Sequence, residues 1–284
     1  MTHTGAAKLR QLLARPELLI MPCCYDGLSA RLIERAGYPL TFMSGFSVAA
    51  ARLGVPDTGL ISYGEMLDQG RSILESVTIP VIGDGDTGYG NAANVERTVE
   101  GYARTGFAAI MIEDQIAPKR CGHTQGKEVV SRDAAISRLK AAIRARDAGA
   151  DILILARTDA RATLGLDEAL WRMEAFEALG ADILFLEAPT SIGEMETFNR
   201  RVNQPTMANM IQGGRTPVLT GPELSDLGFR IAAYPLALMG AAVAAMEKAL
   251  EILRTGAMPE SQVAFSHLLE IVGFDDYNRK LGKD

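Results

Sequence analysis

Eight short apolar runs recur along the chain, and helix-forming stretches separate them. Each run is hydrophobic at nearly every position, whereas a strand with one face in water would alternate between apolar and polar residues. Continuous hydrophobicity is typical of strands that are buried on both faces, as in a parallel sheet covered by helices. The runs span residues 18–23, 39–45, 79–86, 108–114, 152–159, 183–189, 205–210 and 230–236.

The stretches between these runs carry signals for the start and the end of helices. Asp26 is placed to cap a helix over 27–36, and Gly37 is placed to end it. Further helices that end just before a glycine are predicted over 94–104, 132–148 and 167–179. Repeated strand–loop–helix units predict an α/β fold, and eight of them indicate a (β/α)8 barrel of the TIM type. A doubly wound open sheet is the alternative.

Composition narrows the class of protein. The net charge of −6 provides no basic surface for nucleic acid. The longest apolar run, residues 231–246, contains a proline and is shorter than the ~20 residues of a membrane helix. The amino end lacks the pattern of a signal peptide, and the three cysteines make a poor disulfide framework. We therefore expect a cytoplasmic protein without a nucleic-acid or membrane partner, built as one barrel domain over 1–284 with a C-terminal helical extension over 247–284.

Polar side chains stand at the ends of most of the apolar runs. The carboxyl ends of all strands in a parallel barrel meet at one face, where barrel active sites lie. Residues that are far apart in the sequence are thus predicted to become neighbours. They are Ser44, Asp84, Asp86, Glu113, Asp114, Arg157, Asp159, Glu187 and Asn209.

The segment 83–88, Gly-Asp-Gly-Asp-Thr-Gly, has the glycine spacing of a dinucleotide-binding turn. Asp84 and Asp86 would, however, place negative charge where a pyrophosphate must lie, which disfavours an NAD-dependent dehydrogenase. The same carboxylates suit a hard divalent cation, and we predict Mg²⁺, with Mn²⁺ as a substitute. Asp57 and Glu113 are further acids that would hold the cation directly or through its waters. Taken alone, the segment could equally be a surface turn.

Cys121 lies in the sequence Lys119-Arg120-Cys121-Gly122-His123. A single cysteine is more often a buried apolar residue than a catalytic one. Here the flanking cations would lower the pKa of the thiol and make it a proton donor and acceptor near neutrality. The loop position therefore favours a functional role for Cys121.

Two further positions offer groups that bind anions. Arg157 could bind a substrate carboxylate through two hydrogen bonds, or form a structural salt bridge to Glu187 or Asp159, and both can hold at once. Ser44 and Gly45 offer a hydroxyl and a backbone N–H. Cys23 and Cys24, in contrast, are predicted to pack in the barrel.

Six segments, in order, resemble the isocitrate lyase / phosphoenolpyruvate mutase superfamily over about residues 18–240. They are SGFSVAAARLGVPDTG, GDGDTGYG, IEDQIAPKRCGH, ARTDA, LEAP and YPL. The resemblance implies a modified (β/α)8 barrel and a homotetramer whose C-terminal helix is exchanged between subunits. The small-residue run Met239–Met246 would then be a closely packed helix.

Carried over position by position, the resemblance implies a metal site, a gating loop and a substrate pocket. The metal residues are Asp84, Asp86 and Asp57. The catalytic residues are Cys121, Lys119, His123 and Glu113. The substrate-binding residues are Ser44, Gly45, Gly122, Arg157, Glu187 and Asn209.

The resemblance implies a Mg²⁺-dependent carbon–carbon lyase. Such an enzyme cleaves a 2-hydroxy di- or tricarboxylate by retro-aldol chemistry to pyruvate or another 2-oxo acid and a carboxylic acid, and Cys121 protonates the enolate. The base that takes the hydroxyl proton stays open between a metal-bound hydroxide, a carboxylate and Cys121.

Gly240 stands where methylisocitrate lyases carry an arginine for a further carboxylate, which favours a 2-alkylmalate such as 2,3-dimethylmalate, with 2-methylisocitrate next. An oxaloacetate hydrolase or decarboxylase is the main alternative. A phosphonate P–C bond enzyme is disfavoured by the cysteine loop, and a non-catalytic scaffold by the intact set of acids, thiol and arginine.

Overall fold

Eight parallel strands close into a barrel in the order of the chain, with β8 pairing back onto β1. The computed structural model describes residues 4–122, 126–260 and 262–282. The predicted (β/α)8 barrel is confirmed, and the open-sheet alternative is wrong. The strands are β1 (Leu19–Cys24), β2 (Thr41–Met43), β3 (Val81–Asp84), β4 (Ala109–Glu113), β5 (Leu153–Thr158), β6 (Ile183–Leu186), β7 (Thr206–Asn209) and β8 (Ile231–Tyr234).

Helices follow the strands and cover the barrel. The side chain of Asp26 accepts a hydrogen bond from the backbone N–H of Ser29 and caps α2, as predicted. The four predicted helices are confirmed as α2, α5, α6 and α8. The helices are α1 (Gly5–Leu13), α2 (Gly27–Arg35), α3 (Gly45–Val48, followed by a π-helical turn over Ala49–Leu53), α4 (Tyr63–Leu74), α5 (Ala92–Thr105), α6 (Arg132–Asp147), α7 (Ala160–Leu164), α8 (Leu166–Leu179), α9 (Ile192–Arg201), α10 (Gly221–Asp226), α11 (Ala237–Leu253), α12 (Phe265–Val272) and α13 (Phe274–Lys280).

The strands are hydrophobic at successive positions because both of their faces are buried. In β4, Met111 packs in a cluster inside the barrel, whereas Ile110 and Ile112 pack in the layer between strands and helices. Cys23 and Cys24 divide in the same way and are both buried, as expected. Side chains of a strand point alternately to its two faces. The residue two positions beyond an interior apolar residue therefore also faces the interior.

A buried ion pair connects α8 to the carboxyl ends of β4 and β5. Arg172 of α8 donates to Asp114 Oδ2 at 2.9 Å and to the Val130 carbonyl oxygen at 2.8 Å. Asp114 also accepts from the Thr158 hydroxyl at 2.6 Å and from the Asp159 N–H at 2.9 Å. Arg172 and Asp114 are 1% and 2% exposed, so Asp114 depends on Arg172 for charge compensation, whereas Arg172 also contacts Glu168 at 2.9 Å.

The last three helices expose much of their apolar surface. None of the residues of α11 is buried in the single chain, and Met246 and Leu250 are more than half exposed. The close packing expected for Met239–Met246 therefore does not arise within the described part of one chain. In that same part, no helix has both the length and the apolarity required to cross a membrane.

We expect Arg172→Leu to lower the free energy of unfolding by roughly 3 to 5 kcal/mol, because Asp114 would remain as a buried charge without its cation. Chemical denaturation measures this change. Arg144→Leu is the matched control, since it removes the solvent-exposed pair with Glu96 and should cost about 1 kcal/mol or less. Equal losses in the two variants would contradict the assigned role of the buried pair.

Candidate active site

The pleat of the strands aims six of the predicted polar residues at the top of the barrel. Each stands two positions after an apolar residue of the interior cluster, so it faces the same way. The pairs, interior residue first, are Phe42 and Ser44, Ile82 and Asp84, Met111 and Glu113, Leu155 and Arg157, Phe185 and Glu187, and Met207 and Asn209. Strand geometry thus gathers the functional groups at one mouth of the barrel.

A single pocket at this mouth brings together nine of the thirteen residues predicted for the site. They are Ser44, Asp57, Asp84, Lys119, Cys121, Gly122, Arg157, Glu187 and Asn209. Three others lie directly behind the lining: Gly45 beside Asp84, Asp86 beside Lys119, and Glu113 beside Arg157. His123 lies outside the described residues.

Buried acids surround the ammonium group of Lys119. Its Nζ lies 2.6 Å from Asp57 Oδ1 and 2.7 Å from Asp86 Oδ1. Asp84 accepts hydrogen bonds from the N–H groups of Gly45 and Asp86, each at 3.1 Å. A Cβ atom at Gly45 would lie 2.5 Å from Asp84 Oδ2, so only glycine allows this approach.

Burial controls the protonation of this cluster. It raises the pKa of Asp84 to about 6, with a further increase from the charge of Asp86 and an opposing effect of Lys119. Burial also raises the pKa of Glu113 well above its ordinary value, against the opposing charge of Arg157. For Lys119, burial would lower the pKa, but the carboxylates, Asp86 first among them, raise it well above its usual value. The ammonium therefore stays charged.

The acids fit a hard divalent cation by their chemistry and their charge. Within the described ranges, no three histidine, cysteine or acidic side chains already converge with the spacing of a metal site. Lys119 contacts both Asp57 and Asp86, so these two carboxylates share their charge with an ammonium group. This is compatible with Mg²⁺, because Mg²⁺ typically keeps several waters and takes only one or two carboxylates. In addition, the buried Glu113 Oε1 accepts no hydrogen bond from any group that the structure describes. An excess of buried carboxylate oxygens is the donor set that Mg²⁺ prefers.

Arg157 forms the structural salt bridges that the sequence predicted, to Asp159 and to Glu187. Its Nε and Nη2 contact Asp159 at 2.8 and 3.1 Å. Nε also lies 3.2 Å from Glu113 Oε2, and Nη2 lies 3.3 Å from Glu187 Oε2, which accepts from Asn209 Nδ2 at 3.2 Å. Arg157 is therefore fixed by acids and still lines the pocket.

The backbone on either side of Cys121 is held close to this network. A Cβ at Gly122 would lie 2.4 Å from Arg157 Nη2 and 2.7 Å from the carboxyl carbon of Glu187, so a glycine is required here. The buried amide of Gln115 accepts from the N–H of Arg120 and donates to its carbonyl oxygen, both at 2.9 Å. Residues 120–122, the Cys121 segment, thus pack directly over the pocket.

Most of the remaining pocket wall is apolar, with Arg120 as the charged exception. Phe46, Ile211 and Leu236 follow β2, β7 and β8, respectively, and line the pocket with uncharged side chains. Gly240 does not line this pocket but an adjacent groove, behind Ile211 and Leu236. The position from which the sequence favoured a 2-alkylmalate is thus adjacent to the pocket and not part of its lining.

Sequence reasoning missed the residues that support the loop. Gln115 immediately follows the acids of β4, and Lys127 follows Cys121 by six positions, but neither belongs to a periodic pattern. The apolar wall was also missed, because its residues lie beyond the strand ends, where only polar residues were considered as site candidates. The one available signal was the amide of Gln115 directly beside Asp114.

Comparison with known proteins matches residues 9–254 to the family model described as phosphoenolpyruvate phosphomutase. The chain is 41% identical to a 2,3-dimethylmalate lyase of Eubacterium barkeri, over 95% of this chain and 94% of that protein. It is 38% identical to a 2-methylisocitrate lyase of Aeropyrum pernix, over 96% of this chain and 88% of the relative.

Among solved structures, the fold is similar to an oxaloacetate acetylhydrolase in complex with the inhibitor 3,3-difluorooxalacetate. The TM-score is 0.94 at 36% identity, and the match covers 99% of this chain and 98% of the other. Both the sequence and the fold therefore match these relatives over nearly their whole length.

The raised pKa of Asp84 predicts a pH dependence of stability in chelator-treated protein. Between the ordinary carboxyl value of ~4 and the folded value of about 6, the folded state binds more protons than the unfolded state. The contribution of Asp84 to the free energy of unfolding should therefore fall, by roughly 3 kcal/mol, as the pH rises through this window, and then level off.

Asp84→Ala should remove this dependence, so that the variant gains stability relative to the parent between pH 4.5 and 7. Denaturant midpoints at the two pH values measure the change. Asp226→Ala, at an exposed position, is the control. A difference between parent and Asp84→Ala that is independent of pH would show that the carboxyl does not titrate in this range.

Proposed function

The chain belongs to the phosphoenolpyruvate phosphomutase family, and on that premise we propose that it is a Mg²⁺-dependent carbon–carbon lyase. It cleaves a 2-alkylmalate, with 2,3-dimethylmalate as the example, to a 2-oxo acid and a carboxylic acid. The observation that carries the proposal is the position of Cys121 over a pocket that combines buried acids, Arg157 and an apolar wall. Thiol, acids and guanidinium are the groups that this reaction uses.

The lining of the pocket supports a dicarboxylate with alkyl substituents. Three cations line the pocket: Lys119 already contacts Asp57 and Asp86, Arg157 already contacts three acids, and Arg120 is the third. Two of the three cations are thus already compensated by buried acids, which favours a dicarboxylate over a tricarboxylate. Phe46, Ile211 and Leu236 offer the alkyl groups an apolar surface to pack against.

Asp84, Asp86 and Asp57 are proposed to hold the cation, with Glu113 behind them. When bound, Mg²⁺ supplies Lewis-acid polarisation of the hydroxyl and carboxylate of a 2-hydroxy acid. Gly45 keeps Asp84 oriented through its N–H, and Lys119 limits the repulsion between Asp57 and Asp86. The geometry of the carboxylates is thereby maintained before substrate arrives.

Arg157 and Asn209 orient the substrate, and the Cys121 segment excludes water from the pocket. The hydroxyl proton leaves to one of the buried carboxylates while the adjacent C–C bond breaks. The electron pair of that bond passes to the departing carboxylic acid as an enolate. The thiol of Cys121 then donates its proton to the enolate carbon, and solvent exchange restores the thiol and the carboxylate.

A second candidate function is hydrolysis of oxaloacetate. It is favoured by the similarity in fold to the oxaloacetate acetylhydrolase, at a TM-score of 0.94. The same acids and Arg157 would bind oxaloacetate, which carries no alkyl group for the apolar wall. That wall is why we place the lyase first.

We further propose that the exposed apolar face of α11–α13 is covered by other copies of the chain in a homotetramer. Phe265, Met246 and Leu250 are each more than half exposed in the single chain, and such surfaces are typical of protein interfaces. The molar mass in solution, by light scattering, decides this point; a monomer would contradict it. The cytoplasmic location stays a prediction.

The first test is the release of 2-oxo acid from 2,3-dimethylmalate, 2-methylisocitrate, isocitrate and oxaloacetate, each with Mg²⁺ and with chelator. We expect pyruvate from 2,3-dimethylmalate and at least tenfold lower kcat/KM on 2-methylisocitrate. Oxalate from oxaloacetate with silence on the other acids would move the protein to the hydrolase.

Cys121→Ser separates the acid role of the thiol from binding. The variant should fold and bind Mg²⁺, measured as an unchanged thermal shift on adding the cation, and lose more than about 99% of turnover because a serine hydroxyl is a far weaker acid. Near-normal activity would refute the role of Cys121 as proton donor.

A further inference from the structure

Two buried side chains hold the carbonyl groups on either side of Cys121. Gln115 binds the carbonyl oxygen of Arg120, and the ammonium group of Lys127 binds the carbonyl oxygen of Gly122. The two ties differ in kind. Gln115 is neutral and makes both of its contacts to Arg120, whereas Lys127 is charged and reaches a second element.

That second element is the end of β5. Lys127 Nζ lies 2.6 Å from Asp159 Oδ1, and the two side chains are 2% and 0% exposed. Burial by itself would raise the pKa of Asp159, but the charges of Arg157 and Lys127 hold it well below its usual range. Asp159 is therefore ionised and gives Lys127 a fixed, charged anchor.

We propose that Lys127 is a positioning residue that, anchored on Asp159, holds the carbonyl of Gly122 and so keeps the thiol of Cys121 over the pocket. Lys127 does not line the pocket, and it acts through the backbone next to Cys121. Because Asp159 also binds Arg157, the same carboxylate sets the position of the thiol and of the guanidinium. The catalytic meaning of this placement rests on the proposed lyase function, but the placement itself does not.

The test is the alkylation of Cys121 by iodoacetamide, followed by peptide mass spectrometry, in the full-length protein without substrate. Cys23 and Cys24 are fully buried and serve as internal references. The rate is followed with rising pH to its plateau, where the thiol is fully ionised and any change in its pKa no longer contributes. Lys127→Met should raise this plateau rate at least fivefold, because Gly122 is no longer held against the barrel and only the tie from Gln115 to Arg120 remains.

Two variants bracket the result. Lys127→Arg keeps a cation that reaches Asp159 and should restore most of the protection. Lys140→Met, at an exposed position on α6, should leave the rate unchanged. If Lys127→Met is too unstable to purify, Lys127→Gln takes its place with the same expectation, since it removes the charge with a smaller change in polarity.

A plateau rate in Lys127→Met equal to that of the parent overturns the proposal. With a substrate that the parent turns over, Lys127→Met should lower kcat at least tenfold and change KM by less than threefold, whereas a general loss of structure would affect both constants and also expose Cys23 and Cys24 to alkylation. An increased alkylation rate in a protein that cleaves none of the four acids would leave the positioning role intact and refute the lyase function alone.

Discussion

The carboxylate of Asp159 is the group on which the rest of the site depends. It accepts hydrogen bonds from Arg157 and Lys127. The backbone N–H of Asp159 donates to Asp114, and the negative charge of Asp114 is compensated by Arg172 of α8. One buried charge thus connects the guanidinium that lines the pocket, the loop that carries Cys121 and the layer of helices. Such a charge is tolerated because every partner is present, and removal of a single partner leaves an uncompensated ion in a medium of low polarity.

The acids near Lys119 show the opposite balance. Asp84 and Glu113 carry raised pKa values because burial is not matched by an equal number of cations. An arrangement of this kind lowers the stability of the protein by itself, and it persists where a ligand supplies the missing charge. The Asp159 network and the Asp84 cluster meet at Glu113, which contacts Arg157. The charge-compensated Asp159 network therefore supports the Asp84 cluster, in which the acids outnumber the cations.

The strands could be predicted from the sequence because burial on both faces removes polar residues from them, and the polar residue that follows marks the mouth of the barrel. Asp84, Arg157 and Asn209 were found in this way. Lys127 could not be found, because its partner Asp159 is 32 residues away and no periodicity connects a loop lysine to a strand end. The C-terminal helices show the same limit, since their apolar residues predict a buried face but not which surface covers it.

The apolar wall of the pocket has a consequence for how the site responds to substitution. Phe46, Ile211 and Leu236 come from three separate connections beyond the strands, and their side chains contain no atom that takes part in the charged network. An exchange at one of them would alter the volume of the pocket and leave the charged groups where they are. A side chain at Gly45 or Gly122, in contrast, would displace Asp84 or Arg157. The barrel mouth is thus divided into a wall whose side chains set the shape of the pocket and a charged part whose geometry depends on glycine.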